Sequence, residues 1–404
     1  MKALIFDIIH GGDYIAKKLM DRGYDVYCVD VYRYAKQEIK DRIIEMGANL
    51  SEEAPAGEYA LLLAPSHCPV DMFLRDDVIV DKRVTFHQAV GEFIDDKRFR
   101  IEVTGVKGKT SLCYMLAHIL DKAGKKVFLH TSRGQGQYVN GEHRIDKLMS
   151  IAPTSLLVLP EGDYDVMVTE VSLGGSGKAD IAVITNLLED YGIAKNTGKA
   201  STSKASILTD NINIVESSEC EFWKGFGKDV IGYGGRVRVN GSPRLGEPLD
   251  ITIDYGGKHD VRFGEGFLGL EYIHAIDAAL TICEQMSIPK DVMISALESF
   301  RGIPGRGEIS KENGIWTVTE RNPGISHISI GSTLSTMKRM DALDGLTVIL
   351  DPVNRRVCDK LDIEQIMDVI DKYDVKLIFL NDGKDVTIPE GTKTILKFIK
   401  EGFQ

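Results

Sequence analysis

A glycine-rich segment that carries a lysine and a threonine has the residue types and spacing of a phosphate-binding loop. Gly105 and Gly108 allow the backbone to approach a phosphate closely, because neither residue has a Cβ that would clash. We expect Lys109 to reach the β- and γ-phosphates of ATP and the Thr110 hydroxyl to ligate Mg²⁺. The predicted ATP-binding loop comprises Thr104, Gly105, Val106, Lys107, Gly108, Lys109, Thr110 and Ser111.

The elements predicted on either side of this loop support the same chemistry. A buried strand is predicted over residues 98–103 and a helix over residues 111–120, so the free N–H groups of the helix would face the anion. The full Walker A spacing has a glycine at position 103, where this chain has Val103, and the loop is therefore a shortened G-x-x-G-K-T. The alternative is a glycine-rich turn with an incidental lysine, but the flanking strand and helix favour phosphate binding.

Acidic and polar residues follow two further predicted strands of the same region. Glu170 ends a strand over residues 166–170, where a carboxylate can hold Mg²⁺ directly or through water, although a solvated strand end would look alike. The next predicted strand runs into Asn186 and Asp190, and Lys204 follows after a polar stretch.

The chain is long enough for two or three domains, and strands alternate with helices in three regions. In the first, strands are predicted over residues 4–9, 26–30 and 60–64. The complete G-x-G-x-x-G fingerprint is missing, so loops that hold a ligand other than a dinucleotide are favoured. The later regions are predicted to contain an antiparallel insertion near residues 228–270 and a linker at residues 302–307.

Composition excludes several classes of function. Hydrophobic residues make up 43% and charged residues 27%, as in globular proteins, and the apolar runs fall below the roughly 18 residues that span a bilayer. The formal net charge is −11 and no basic tract is present, which argues against nucleic-acid binding. The six cysteines form no C-x-x-C pair, and the amino terminus has no signal-peptide pattern. We therefore expect a cytoplasmic protein with reduced cysteines.

The order of these motifs resembles the Mur ligase superfamily, which activates a carboxylate as an acyl phosphate. The matching features are T-G-x-x-G-K-T, a strand-end E-x-S, N-x-x-x-D and the downstream Lys204. The resemblance implies an α/β, three-domain architecture. A Rossmann-like substrate domain would occupy residues 1–96, a central P-loop ATPase domain residues 97–303, and a Rossmann-like ligase domain residues 304–404.

The resemblance also implies roles for the residues of the central domain. Lys109, Glu170 and Lys204 would be catalytic, and Thr110 and Glu170 would ligate Mg²⁺. Lys204 would correspond to the lysine that many members carry as a carbamate near a second metal, with Lys195 and Lys199 as neighbouring alternatives. The family usually has a histidine where this chain has Tyr191, and either Asp190 or water is expected to compensate as a metal ligand.

Further contacts to ATP are implied outside the loop. His274 and Asp277 take the place of two asparagines near the adenine, although both also fit the surface of a helix. Arg306 lies in a hinge-like G-R-x-E segment, and Asn322 in a segment that resembles a loop closing over ATP. The implied ATP contacts beyond the loop are Asn186, His274, Asp277, Arg306 and Asn322.

Four segments, near residues 6–12, 29–32, 170–177 and 351–361, resemble a branch of the superfamily that closes a carbocyclic ring on a nickel tetrapyrrole acid. ATP and Mg²⁺ would then be required, and nickel would enter only as part of the substrate. Turn capping or ordinary surface exposure would also explain the side chains that are named next as candidate substrate contacts. The candidate substrate contacts are His10, Gly11, Gly12, His67, Cys68, Arg321, Arg355 and Arg356.

Other functions fit parts of the same pattern. A Mur-type amide ligase would add an amino acid to a pseudomurein precursor or a folate-like acid. A P-loop phosphotransferase would use Lys109 and Thr110 to make a stable phosphorylated product. A catalytically silent binding protein is favoured by Tyr191 alone. The sequence leaves the oligomeric state open.

Overall fold

The computed structural model describes residues 1–322, 324–351, 362–380 and 387–400. The chain divides into two compact units, which are described separately below. The first consists of Met1–Lys109, Lys126–Gln135 and Met149–Gly232, and the second of Thr110–Lys125, Gly136–Leu148 and Tyr233–Gln404. The domain boundaries predicted at residues 96/97 and 303/304 stay a prediction.

The first unit begins with a five-stranded parallel sheet in the order β3-β2-β1-β4-β5. Apolar side chains of β1 and β4 fill the core on both faces of this sheet. The elements are β1 (Lys2–Phe6), α1 (Gly12–Met20), β2 (Asp25–Val29), α2 (Gln37–Glu45), β3 (Asn49–Ser51), β4 (Gly57–Ala64), β5 (Val78–Thr85) and α3 (Phe86–Phe93).

The first strand ends earlier than its apolar run. A strand was expected over residues 4–9, but β1 ends at Phe6 and a 3-10 helix occupies Ile8–His10. Asp7 between them has a left-handed backbone (φ 65°), and its carboxylate accepts the N–H of Ile9. Ile8 is buried in the core, so the apolar run continues past the strand because this residue is buried and not because it is extended.

A second parallel sheet of the first unit contains the order β14-β11-β6-β10-β7. The predicted strands of this region are confirmed to within two residues. Its strands are β6 (Arg100–Thr104), β7 (Val127–Thr131), β10 (Val166–Glu170), β11 (Ile181–Ile184) and β14 (Ile212–Glu216); the strands β8 (Gly134–Val139) and β9 (Glu142–Lys147) follow β7 in the chain. The unit also has the antiparallel pair β12 (Gly192–Ile193) and β13 (Gly198–Lys199), the helices α5 (Ala200–Lys204) and α6 (Cys220–Lys224), and most of β15 (Ile231–Tyr233).

The glycine-rich loop of residues 171–177, after β10, is packed too closely for side chains. A Cβ on Gly174 would lie 2.5 Å from the carbonyl oxygen of Ser203, and one on Gly175 would lie 2.6 Å from the Glu102 carboxylate. Ser176 donates to Glu102 from its N–H (2.7 Å) and its hydroxyl (2.5 Å). The loop is therefore held on one side by β6 and on the other by α5.

The second unit combines helices with a small antiparallel sheet and a mixed sheet. The antiparallel insertion is confirmed as β16-β17-β18. The last sheet has the order β19-β20-β23-β21-β22, in which β19 pairs antiparallel with β20 and all other neighbours are parallel. The predicted linker is wrong at its end, because Arg306 already begins β19. The elements are α4 (Lys109–Lys122, from its second residue), β16 (Val237–Val239), β17 (Leu249–Asp254), β18 (Lys258–Phe263), α7 (Ile273–Gln285), α8 (Lys290–Ser299), β19 (Arg306–Glu312), β20 (Ile315–Arg321), α9 (His327–Arg339), β21 (Leu346–Asp351), α10 (Ile363–Tyr373), β22 (Lys376–Phe379) and β23 (Thr394–Ile399).

Among the residues that the structure describes, no helix is both long and apolar enough to cross a membrane.

The contact between α3 and the glycine-rich loop yields a stability prediction. A Cβ on Gly91 would lie 2.2 Å from the carbonyl oxygen of Ser176. Alanine is intrinsically favoured over glycine in a helix by about 1 kcal/mol, so any loss must come from this contact. We expect Gly91→Ala to lower the free energy of unfolding by about 1–3 kcal/mol, measured by denaturant titration. Glu92→Ala, at an exposed position of the same helix, is the control; equal stability of the two variants would contradict the prediction.

Candidate active site

The predicted phosphate loop lies between β6 and α4, with the geometry that its glycines require. Gly105 and Gly108 have φ values of 139° and 87°, which L side chains rarely adopt. A Cβ on Gly105 would lie 2.0 Å from the Thr185 hydroxyl, so this glycine is needed for packing. At Gly108 no atom of the described residues lies within 4 Å of such a Cβ. The loop backbone is therefore open to a ligand at Gly108, which fits a phosphate cradle.

The end of β11 holds this loop in shape. Thr185 donates its hydroxyl to the carbonyl oxygen of Lys107 at 2.7 Å. The Asn186 side chain accepts the N–H of Lys107 and donates to its carbonyl oxygen, both at 3.0 Å. The Asn186 carbonyl also accepts the N–H of Val106. Asn186, predicted as an ATP contact, thus uses its amide to position the loop, and Thr185 is a supporting residue that the sequence interpretation missed.

Lys109 folds back over the loop that precedes it. Its ammonium donates to the carbonyl oxygens of Gly105 at 3.2 Å and Val106 at 3.4 Å. The positive charge consequently lies beside the open backbone, where it would meet the phosphates of a nucleotide. Thr110, the next residue, belongs to the second unit and is buried.

Glu170 is the last residue of β10 and is almost fully buried. It pairs in register with Val103 on the neighbouring strand β6, the strand that leads into the phosphate loop. One of its carboxylate oxygens accepts the N–H of Ser132 at 3.2 Å. A buried carboxylate on the strand adjacent to the loop strand suits a magnesium ligand, and this role stays a prediction.

Asp190 has both carboxylate oxygens engaged by one residue of α5. Oδ1 accepts the N–H of Ser201 at 2.8 Å, and Oδ2 accepts the Ser201 hydroxyl at 2.9 Å. These bonds tie the segment after β11 to the helix that ends at Lys204. The geometry favours a positioning role for Asp190 over the metal-ligand role expected from the sequence.

Lys204 is the buried lysine of this region, with 1% of its surface exposed, whereas Lys195 and Lys199 are exposed. Burial, reinforced by repulsion from Lys109, lowers the pKa of Lys204 to about 7, and Asp190 opposes the shift. The Lys204 ammonium lies 3.4 Å from the Tyr191 hydroxyl and 5.2 Å from the centre of its ring. A lysine amine with a pKa close to neutral pH is partly in the uncharged, nucleophilic form that carbamate formation requires.

The amino-terminal sheet contributes a polar cluster at the ends of β1 and β4. His10 Nδ1 donates to Asp7 Oδ2 at 2.7 Å, and His67 Nε2 lies 3.6 Å from the same oxygen. Burial opposes ionisation of Asp7, but the hydrogen bond from His10 and the nearby His67 imidazole lower its pKa to about 2. The structure brings together two predicted substrate contacts, and Asp7 is a partner that the sequence interpretation missed. Its signal was an acidic residue directly after the first strand.

This cluster is linked to the helix that carries Lys204. The hydroxyls of Ser66 and Ser203, the chain neighbours of His67 and Lys204, are 2.5 Å apart. Since both residues belong to the first unit, the edge of the amino-terminal sheet adjoins the end of α5 near the phosphate loop.

Three other predicted substrate residues have structural explanations. A Cβ on Gly11 would lie 2.1 Å from the Thr154 hydroxyl, and one on Gly12 would lie 3.2 Å from the Asp7 carbonyl oxygen. Cys68 packs its thiol into the apolar core beneath β1 and β4, and burial raises its pKa to about 12. Burial therefore favours a core role and a protonated thiol for Cys68, and its contact with substrate stays a prediction.

The remaining predicted residues lie in the second unit. His274 is exposed on α7, while Asp277 is buried and accepts the N–H of Arg236 at 3.0 Å. Burial raises the pKa of Asp277, although this hydrogen bond opposes the shift. Their proposed adenine contacts stay predictions.

The predicted hinge arginine lies near the end of β20. Arg306 pairs with Glu320 across β19 and β20, and Arg321, which is exposed, donates its N–H to the Gly305 carbonyl. Asn322 donates its N–H to Ile399 and accepts the N–H of Gly324. Two further predicted substrate contacts lie outside the described residues: Arg355 and Arg356.

Comparisons with known proteins match these features. Residues 103–200 match the family described as Mur ligase middle domain. Coenzyme F(430) synthetase from Methanosarcina acetivorans is 28% identical, covering 93% of this chain and 88% of that protein. The protein of the same name from Methanocaldococcus jannaschii is 26% identical, covering 95% and 91%. The solved structure of MurF ligase from Thermotoga maritima in complex with ADP gives a TM-score of 0.57 at 14% identity, covering 93% and 90%. The resemblance to the Mur ligase superfamily and its multidomain α/β fold are thereby confirmed.

The buried Lys204 yields a prediction about stability and pH. The folded chain disfavours the charged amine, so Lys204 lowers the free energy of unfolding. This loss of stability is complete below pH 7 and disappears as pH rises towards 10.5, the pKa of an unperturbed lysine. We expect Lys204→Met to unfold at a higher denaturant concentration than the wild type at pH 6. The gain should shrink by up to about 3 kcal/mol by pH 9.5. Lys199→Met, on exposed β13, should show no such trend; a pH-independent gain for Lys204→Met would refute the assignment.

Proposed function

We propose that this protein is an ATP-dependent ligase that activates a carboxylate of its substrate as an acyl phosphate. The observation that carries the proposal is the 2.5 Å contact between Ser66 and Ser203. This contact joins the ends of β1 and β4, where the predicted substrate contacts lie, to the helix that carries Lys204. The charge of Lys204 in turn interacts with that of Lys109. The carboxylate and the phosphate would then meet within one unit. The similarity to Mur ligases supports the ligase class.

In the first step, a carboxylate oxygen attacks the γ-phosphorus of ATP, and ADP leaves. Lys109 offsets the charge on the transferring phosphoryl group. The loop backbone at Gly108 and the start of α4 would receive the phosphates. Glu170 and Thr110 are the residues proposed to hold Mg²⁺, which would neutralise phosphate charge when bound.

Lys204 would act beside the activated carboxylate. The uncharged fraction of its amine, which the lowered pKa provides near neutral pH, is available for carbamate formation, and the bonds between Asp190 and Ser201 hold its helix in place. As a carbamate it would replace a buried positive charge by a negative one near Lys109. The mutual repulsion of Lys109 and Lys204 would thereby turn into attraction.

We propose further that the substrate is the ring-opened acid precursor of the nickel tetrapyrrole coenzyme F(430). A carbon atom of the same molecule would attack the acyl phosphate, lose a proton and release phosphate, so that a carbocyclic ring closes. Because nucleophile and electrophile belong to one molecule, proximity lowers the barrier and no second organic substrate is needed. Two relatives named coenzyme F(430) synthetase, each covered over about nine tenths of its length, support this choice.

The reaction yields a direct test with three distinguishable outcomes. With ATP, Mg²⁺ and the purified ring-opened acid, but no amino acid, we expect one phosphate released per pigment that loses the mass of one water. Phosphate release should be followed enzymatically and the pigment by absorption and mass spectrometry. Turnover only with an added amino acid would sink the tetrapyrrole substrate and leave the ligase class standing. A stable phosphorylated product would instead identify a phosphotransferase.

The predicted magnesium ligand gives a second test. Glu170→Gln keeps the shape of the side chain but removes its charge, so kcat should fall at least about a hundredfold. Glu189→Gln removes an exposed carboxylate of the same unit and serves as the control. A raised Mg²⁺ requirement in Glu170→Gln, with an unchanged melting temperature, would distinguish a ligand from a structural residue. Unchanged kcat at all Mg²⁺ concentrations would contradict the assignment.

A further inference from the structure

Two histidines and a buried aspartate meet at the point where the strand order of the amino-terminal sheet reverses. The sheet runs β3-β2-β1-β4-β5, so the connections leave β1 in one direction and β4 in the other. Asp7 directly follows β1, and His67 comes three residues after β4. In open α/β sheets, the crevice outside the carboxyl ends of two such strands is the usual place for a ligand.

The ligand atoms of the three side chains are close enough for one metal ion. Asp7, His10 and His67 each offer one oxygen or nitrogen, and these atoms lie within 4.8 Å of one another. Metal bonds of about 2.0–2.2 Å place neighbouring ligand atoms roughly 3–4 Å apart, so small side-chain adjustments suffice. The two imidazole rings are nearly perpendicular, at 81°, with their centres 4.6 Å apart.

The backbone holds the carboxylate in a conformation that aspartate adopts at a cost. Asp7 has a φ of 65°, and its Oδ1 accepts the N–H of Ile9 at 3.2 Å, which leaves Oδ2 directed at both imidazoles. The Thr154 hydroxyl donates to the carbonyl oxygen of His10 at 2.7 Å and fixes the turn from the other side. A strained residue that its surroundings hold in place is a reason to look for function at that position.

The three side chains of the cluster differ in their exposure to solvent. The Asp7 side chain has no exposed surface, whereas 25% of the His10 side chain and 34% of the His67 side chain are exposed. The carboxylate thus forms the base of the cluster, and the imidazoles line its opening towards solvent. An ion bound there would keep coordination positions for water or for a ligand.

We infer that Asp7, His10 and His67 form a binding site for a divalent transition-metal centre. Two imidazoles and one carboxylate suit nickel, cobalt, zinc or iron, whereas Mg²⁺ prefers oxygen ligands alone. The metal centre has two possible sources: a free ion, held by all three side chains, or the nickel of a tetrapyrrole. In the second case an imidazole would bind axially and Asp7 would orient the ring, as carboxylates do for metal-ligating histidines. The tetrapyrrole source rests on the proposed substrate, whereas the free-ion source does not, and both are tested without ATP.

The test uses the full chain without a histidine tag, freed of metal with a chelator. Ni²⁺ and Co²⁺ are titrated separately, with binding followed by calorimetry and, for Co²⁺, by its visible absorption. In a second arm, nickel(II) uroporphyrin is added, and axial binding is followed through the shift of its absorption band. We expect one metal centre per chain in at least one arm.

Substitutions locate the binding. Asp7→Asn is the sharpest variant, because asparagine also tolerates positive φ, so the turn should survive while the charge is lost. Asp7→Asn, His10→Ala and His67→Ala should each weaken binding at least tenfold. His259→Ala, which removes a histidine from β18 in the second unit, should leave it unchanged. Melting temperatures of all variants show whether they are folded.

The possible results separate cleanly. Binding of the free ions that depends on all three residues supports a resident metal, and binding of the nickel tetrapyrrole alone that depends on His10 or His67 supports a substrate metal. If the wild type binds neither probe, or if all three folded variants bind as tightly as the wild type, the inference is overturned. Phosphate release, measured separately, reports on the proposed reaction whatever the result for the metal.

Discussion

The close packing of the glycine-rich loop after β10 is the constraint on which the site depends. Gly174 and Gly175 lie against Ser203 and Glu102 without room for a side chain, and Ser176 meets Gly91 of α3 in the same way. His87, also on α3, donates to the carbonyl oxygen of Ser172 at 3.1 Å. Because α3, β6 and α5 all contact this one loop and leave no room for side chains on its glycines, the amino-terminal sheet, the loop strand β6 and the helix of Lys204 have a fixed arrangement within the first unit. Interiors packed at this density transmit small displacements rather than absorb them.

Charge is distributed in this unit so that anions are favoured near the phosphate loop. Lys109 lies beside the open loop backbone, and the buried Lys204 is close enough to feel its charge. Asp190 lies nearby, but both of its oxygens are used by Ser201 and are less available to neutralise a cation. A buried amine without a close carboxylate destabilises the fold, and such a cost persists where binding or catalysis makes use of the group. By contrast, the buried pair of Arg100 and Glu102 has further partners: Arg100 also donates to the Lys178 carbonyl oxygen, and Glu102 accepts from Ser176, so that the pair serves the packing of the loop.

In the turn after β1 of the amino-terminal sheet, a strained backbone positions the polar groups. The chain leaves β1 through a left-handed aspartate and a single 3-10 turn, so that Asp7 and His10 face the residues after β4. Gly11 allows Thr154 to approach this turn and bond to it. Apolar residues on both sides of β1 anchor the strand, and the turn therefore has little freedom to relax.

Local sequence determined the parts of this protein whose physics is local. The alternation of apolar runs and glycine turns was sufficient for the α/β class and for the strands around the phosphate loop, because burial and backbone freedom act over a few residues. The loop itself, from Thr104 to Ser111, was readable for the same reason. Tertiary structure decided what depends on distant partners. Lys204 rather than Lys199 is buried, close enough to Lys109 to feel its charge. Asn186 bonds to Lys107, Asp190 bonds to Ser201, and Cys68 faces the core. Asp7 joined His10 and His67 only when β1 and β4 became neighbours, since sequence separation conceals which strand ends meet.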